Sequence, residues 1–170
     1  MKAYMTSGTE DFLVKMVDDH PQLDLFIMSN EASTLIYYED EQKSIFAAGR
    51  GYDILLETGA MEETGFVVMN NIPVSEEGKP VFEANFRKQL QSVEEVPGIQ
   101  ALRLLKPLKG NTYVVLTQWH SEKNYDDWKE SEAFSNAHKP STVKPPAYFL
   151  EQPFIATYSM YVPEDKEEEV

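Results

Sequence analysis

The chain lacks cysteine and long apolar runs, and each absence excludes certain kinds of site or segment. Without cysteine it has no disulfides, no thiolate nucleophile and no zinc site of the cysteine type, which favours a reducing compartment. No stretch approaches the roughly 20 apolar residues of a membrane-spanning helix. The start, MKAYMTSGTEDFLVK, lacks the basic and apolar regions of a secretory signal. We therefore predict a cytoplasmic protein with no membrane partner.

Positive charge is also scarce. The 170 residues include 15 Lys and Arg against 29 Asp and Glu, which gives a formal net charge of −14. Such a surface repels nucleic acid and anionic membranes, so we predict neither as a partner. Residues 163–170, PEDKEEEV, have charge without apolar anchors and are predicted to form a disordered acidic tail.

Residues 63–162 show a regular succession of strand and helix patterns. In chain order these are strand TGFVVMNNIPV, helix PVFEANFRKQLQSVEEV, strands PGIQALRLLKPL and TYVVLTQW, a helix over Glu122–His138, and strand FIATYSMYV. Pro80 suits a first helical turn, Gly110 a hairpin, and Ser121 a helix cap. The first helix carries an apolar stripe, Phe82, Phe86, Leu90 and Val93. The order β-α-β-β-α-β predicts a ferredoxin-like antiparallel sheet with helices on one face.

Residues 1–62 resemble a shortened copy of the same unit. They offer strand KAYMTSG, helix TEDFLVKMVDDH and strands LDLFIMS and TLIYYED, with Phe12, Leu13, Met16 and Val17 predicted on the buried side of the helix. A second helix is missing, because Gly49, Gly51 and Gly59 are expected to break the rest into strand-sized pieces. We predict an α+β fold of the dimeric α+β barrel type, in which this half-unit replaces a second subunit and the chain is a monomer.

Asn70 is the one polar residue in the row that one face of its strand presents. At period two the row is Phe66, Val68, Asn70, Ile72 and Val74. A buried amide without a partner costs a few kcal/mol, so Asn70 must bond a strand end, a water or a ligand. A satisfied structural asparagine is an equal alternative at this point. Asn71 faces the other way and is the weaker candidate.

The segment DDWKESEAFSNAHKP places a second candidate set on one helix. Ser131, Ser135 and His138 lie within about 80° of Trp128 at 100° per residue. The serines leave a shallow floor between the tryptophan and the histidine, which suits a flat ligand. The alternative is an ordinary core helix whose terminal histidine satisfies exposed carbonyl groups.

The residues Gly65 to Tyr161 resemble the antibiotic-biosynthesis-monooxygenase (ABM) domain, and within it the IsdG-type heme-degrading monooxygenases. The most specific run is W-x8-W-x2-S-x2-F-x3-H, formed by Trp119, Trp128, Ser131, Phe134 and His138. The long N-terminal part makes the chain most similar to the longer, HmoB-type members. This resemblance supports the ferredoxin-like fold and supplies an expected activity.

The resemblance implies a role for each of three residues. His138 matches the axial ligand of heme iron, Asn70 the distal residue that hydrogen-bonds dioxygen, and Trp128 the side chain that bends the porphyrin out of plane. Heme is then both cofactor and substrate, and O2 and electrons from an external reductase open the ring and release iron. Ser131 and Ser135 complete the expected pocket, and one heme is expected per chain, because the N-terminal half has no matching trio.

Three alternatives stay open at this stage. A cofactor-free monooxygenase of the same superfamily could oxidise an aromatic polyketide or a quinol. A non-enzymatic carrier or sensor would bind heme without degrading it. A plain interaction module would rely on the acidic surface.

Overall fold

The computed structural model describes residues 1–89, 96–130 and 148–161, and their strands close into one antiparallel barrel. The strands are β1 (Lys2–Ser7), β2 (Phe26–Ser29), β3 (Thr34–Asp40), β4 (Arg50–Gly59), β5 (Phe66–Pro73), β6 (Ile99–Pro107), β7 (Thr112–Trp119) and β8 (Phe154–Met160). The helices are α1 (Glu10–Asp19), α2 (Lys79–Gln89) and α3 (Glu122–Lys129). Among the described residues, no helix is both long and apolar enough to cross a membrane.

The two halves of the barrel have the same strand order. The N-terminal half runs β2-β3-β1-β4, and the C-terminal half runs β6-β7-β5-β8. The edge strands of the two halves pair with each other: β4 pairs with β6, and β2 pairs with β8. Residues 1–62 contain only one helix, α1. The predicted fold class is therefore confirmed: a ferredoxin-like barrel in which a shortened N-terminal unit occupies the place of a second subunit.

Alternation along the strands fills the barrel interior with apolar side chains. Met5, Tyr37, Val67, Leu105 and Tyr158 belong to this core. Burial of such a core supplies the main stabilisation of the fold.

Buried polar side chains tie the halves together near one end of the barrel. Arg103 is 3% exposed, and its guanidinium donates to the Glu39 carboxylate at 2.7 Å and to the carbonyl groups of Thr58 and Gly59. Gln118 bonds the backbone N–H and C=O of Glu62. These partners satisfy polar groups that would otherwise be costly to bury.

Local signals in the C-terminal half lead to the predicted elements. Pro80 lies in the first turn of α2, the Ser121 hydroxyl accepts from the Asn124 N–H at 3.3 Å, and Gly110 has φ +86° in the β6–β7 hairpin. Phe82 anchors α2 on the outer face of the sheet against Leu102 and Tyr113.

Two local predictions need correction. The glycines do not divide residues 50–59, because Gly51 lies inside the continuous strand β4, where a Cβ would come within 2.9 Å of Leu108 Cδ1.

The buried side of α1 also differs from the predicted one. Phe12 is 55% exposed, and Val14 packs with Leu13 instead, since the buried stripe of the helix is rotated. Helix α3 covers Glu122–Lys129, and the part of the predicted helix from residue 131 to His138 lies outside the described residues. Leu90 and Val93 lie outside the described residues.

Candidate functional site

Strand β5 places Asn70 at the centre of the outer face of the C-terminal half. Its partners across the sheet are Val115 on β7 and Ile155 on β8. Because directly paired residues point to the same face, three side chains meet there: one amide and two aliphatic groups. Along β5 the neighbours on this face are Val68 and Ile72, both buried. The structure thus places Asn70 in the predicted apolar row.

The Asn70 amide lacks a partner at its oxygen. Oδ1 is buried and makes no hydrogen bond within the part of the chain that the structure describes. Leaving such an atom unpaired costs roughly 1–3 kcal/mol. Ile155, directly beside it, is 56% exposed. An unsatisfied polar atom next to an open apolar side chain is the arrangement expected where a largely apolar ligand with a polar centre binds.

The adjacent asparagine provides a contrast. Asn71 points to the barrel interior and is 6% exposed. Its Nδ2 donates to the Met69 carbonyl at 3.2 Å and to the Phe154 carbonyl at 3.4 Å. Asn71 therefore behaves as a satisfied structural amide, whereas Asn70 does not.

Trp128 lies on the same outer face as Asn70. Its ring packs on Trp119 with centroids 5.6 Å apart and on Tyr125 at 6.2 Å. These three rings form an aromatic cluster with Phe66 and Val68. Val68 is two residues before Asn70 on the same face of β5, so the cluster borders the amide.

Two contacts hold the aromatic cluster in place. The Trp119 Nε1–H donates to Thr117 Oγ1 at 2.9 Å, and Trp119 is fully buried. The Lys129 ammonium lies 4.7 Å from the centre of the Tyr125 ring. Burial raises the pKa of Tyr125, and the positive charge of Lys129 opposes that rise. The Trp128 ring therefore packs against aromatic rings that are themselves held by other contacts.

The other predicted site residues lie outside the described residues. Ser131, Ser135 and His138 fall within residues 131–147, and their assigned roles stay predictions. The structure brings Asn70 and Trp128 to one face.

The structure also adds residues that the sequence reasoning missed. Val115 and Ile155 flank Asn70, and Tyr125 supports Trp128. Helix periodicity could have revealed Tyr125, which is three residues before Trp128. The two aliphatic neighbours require the strand register, which local patterns do not provide.

Comparison with known proteins identifies the family. Residues 65–140 match the family described as antibiotic biosynthesis monooxygenase. A heme-degrading monooxygenase of Listeria monocytogenes is 28% identical over 130 residues, covering 76% of this chain and 78% of that protein. The signal transduction protein TRAP of Staphylococcus epidermidis is 30% identical over 135 residues, covering 79% and 81%.

A solved structure extends the likeness to almost the whole fold. The structure of a major regulator of staphylococcal pathogenesis superposes with a TM-score of 0.85 and 24% identity, covering 95% of this chain and all of that one. The family match and the Listeria relative together support a monooxygenase activity. The chain belongs to the antibiotic biosynthesis monooxygenase family.

Proposed function

We propose that this protein is a heme-degrading monooxygenase that binds its substrate on the outer face of β5, beside Asn70. The observation that carries the proposal is the unpartnered, buried Oδ1 of Asn70 next to the exposed Ile155. A porphyrin fits this chemistry, since it is a flat apolar body with a polar centre. The name of the Listeria relative supports the same substrate.

The described residues account for two parts of the proposed site. Ile155 is exposed and supplies apolar surface against which a macrocycle can lie, while the buried Val68 and Val115 make the surroundings of Asn70 apolar. Asn70 supplies a polar group at the centre of that surface, and rotation of its amide can present either the oxygen or the N–H. Hydrogen bonds gain strength in such an apolar setting, where the effective dielectric is low. Asn70 would therefore orient the reacting oxygen.

Trp128 would act sterically. Its ring packs on Trp119 and Tyr125, so it cannot easily move aside when a ligand contacts it, and it forms one wall of the site. We propose that this wall bends the macrocycle, as the resemblance implies, while His138 binds the iron and Ser131 and Ser135 leave room. Bound heme supplies the iron that activates O2 and the carbon that is oxidised, and an external reductase supplies the electrons.

We further propose a monomer with one heme per chain. The two halves already satisfy each other's sheet edges, so the barrel needs no second copy to close. A sedimentation mass of two chains would contradict this part of the proposal. The division of the chain at residue 62 stays a prediction.

The test is a titration with hemin followed by reductant in air, with the Soret band and free ferrous iron as readouts. We expect saturable binding, then loss of the Soret band and release of iron. Asn70→Ala should bind heme but degrade it at least about tenfold more slowly, in the range typical of lost polar catalytic groups. Trp128→Ala should bind heme and lose turnover, and normal turnover would contradict its steric role.

His138→Ala tests iron ligation, and His20→Ala is its matched control. His20 lies at the end of α1, where its Nδ1 is 2.9 Å from the Met16 carbonyl oxygen, far from β5 in sequence. We expect the heme spectrum to change in the first variant and not in the second. An unchanged spectrum for His138→Ala would remove that residue as the axial ligand.

The relatedness to TRAP favours one second candidate, a non-enzymatic heme carrier or sensor. That function predicts a Soret band that persists in air with ascorbate. A cofactor-free monooxygenase instead predicts no Soret shift when hemin is added. The same titration therefore separates all three functions.

A further inference from the structure

A cavity of about 730 Å³ lies beside β4 and the β6–β7 hairpin. Its lining comes from Ser44, from residues 46–52 and from the β6–β7 hairpin, with Tyr4, Asn71 and Phe154 completing it. The volume is within the usual range for small-molecule sites. None of the residues Asn70, Val115, Trp128 and Ile155 lines it, so this cavity is separate from the proposed heme site.

The charge of the cavity is opposite to that of the protein. Its lining includes Arg50 and Lys109 but no aspartate or glutamate, although the chain has nearly twice as many acids as bases. Within the described residues, neither cation has a carboxylate within 4.0 Å, in contrast to Lys2, Lys79 and Lys106. Two uncompensated cations in one acid-free cavity are a feature of an anion site.

Strand pairing brings the two cations to the same rim. Tyr52 on β4 pairs with Pro107 on β6, and the Leu108 N–H donates to the Gly51 carbonyl at 2.9 Å. Arg50 is the next residue outward on β4, and Lys109 is the next residue in the β6–β7 hairpin, beyond the end of β6. Two like charges at one rim repel each other, whereas a bound anion would interact favourably with both.

Aromatic rings form the walls beside the cations. Tyr4, Phe46, Tyr52 and Phe154 all line the cavity, and Phe154 is 55% exposed. Burial raises the pKa of Tyr52, and the positive charge of Arg50 opposes that rise. The cationic rim and the aromatic walls therefore join at this pair, where a ring bearing an acidic group could contact both.

We propose that this cavity is a second binding site, for a small aromatic anion whose acidic group lies between Arg50 and Lys109. The aromatic walls hold the ring of the ligand, and the two cations select its charge. The site does not depend on heme binding, so it stands or fails independently of the function proposed above.

Salicylate and its neutral counterpart, salicyl alcohol, test the proposal by amide NMR of the full chain. We expect saturable shifts at Gly49, Gly51 and Gly110 with salicylate and at least about tenfold weaker binding of the alcohol, because charge-assisted hydrogen bonds are lost. Absence of saturable shifts, equal binding of the two probes, or shifts confined to Asn70 and Ile155 would overturn the proposal.

A pair of double variants separates the local charge from the net charge. Arg50→Gln with Lys109→Gln removes both rim cations and should weaken salicylate binding at least about tenfold. Arg87→Gln with Lys88→Gln removes two exposed cations of α2 and should leave binding unchanged. Equal weakening in both double variants would show that only the overall charge matters, and would reject a built site.

Discussion

The outer faces of the two halves differ although their strand orders are the same. In the N-terminal half, residues 41–49 cover the sheet. The Tyr4 hydroxyl donates to the Gln42 carbonyl at 2.8 Å, and the Tyr38 hydroxyl accepts from the Ile45 N–H at 2.9 Å. Phe46 packs edge-on against Tyr38. Hydrogen bonds and ring contacts thus attach residues 41–49 to this face.

The C-terminal half leaves its corresponding surface incomplete within the described residues. Asn70 Oδ1 has no partner, and Ile155 is more than half exposed. The two halves therefore have the same strand order, but the outer face is covered in the N-terminal half and is suited to a ligand in the C-terminal half. The difference comes from what is packed over the sheet and from one polar residue on a central strand.

Removing one large ring from each face should give the largest effects. Trp119→Ala and Tyr38→Ala each delete a fully buried aromatic ring, and we expect each to lower the free energy of unfolding by about 3–5 kcal/mol. Only the Trp119 variant should also impair heme turnover, because Trp119 supports Trp128. Urea unfolding and the hemin assay measure the two effects.

The exposed ring of Phe12 is the control for this pair. Phe12→Ala should change stability by less than about 0.5 kcal/mol, as expected for a surface side chain. Equal loss of heme turnover in the Trp119 and Tyr38 variants would remove the functional distinction between the two faces.

The stability of the protein should respond differently to the same substitution at the two neighbouring asparagines. Asn70→Leu removes an unpartnered buried oxygen and should be neutral or raise stability by about 1 kcal/mol, while degradation of heme declines. Asn71→Leu loses hydrogen bonds to Met69 and Phe154 and should lower stability by about 1–2 kcal/mol. Denaturant midpoints at constant m-value give both numbers. A clear loss of stability in Asn70→Leu would show that this amide is structural.

The smallest effect concerns the cover over the N-terminal half. Tyr38→Phe removes the acceptor of the Ile45 N–H and should cost about 1 kcal/mol. Hydrogen exchange at Ile45 should become faster, and the number of hemes bound per chain should not change. Unchanged exchange would mean that this hydrogen bond does not hold residues 41–49.

Patterns within a few residues predicted much of this fold. Alternation along β5 placed Asn70 in an apolar row, and Ser121, Pro80 and Gly110 marked a cap, a helix start and a turn, because these effects are local. The glycine signal failed at Gly51, where glycine permits close approach of Leu108 within a strand rather than ending it.

Contacts between distant strands could not be predicted in the same way. The pairs Asn70 with Ile155 and Tyr52 with Pro107 join residues far apart in the chain, so their register depends on the closed barrel. The open surface beside Asn70 and the cationic cavity both depend on such pairs. The exposure of Phe12 likewise depends on which side of α1 the sheet contacts.

The central claim is that the face around Asn70, and not the covered face, binds and degrades heme. The most direct measurement is the stoichiometry of hemin binding to the intact chain, followed by ascorbate in air on the same sample. The account predicts saturation at one heme per chain, followed by loss of the Soret band and release of iron. Saturation at two hemes per chain, or a Soret band that persists in air with ascorbate, would contradict it.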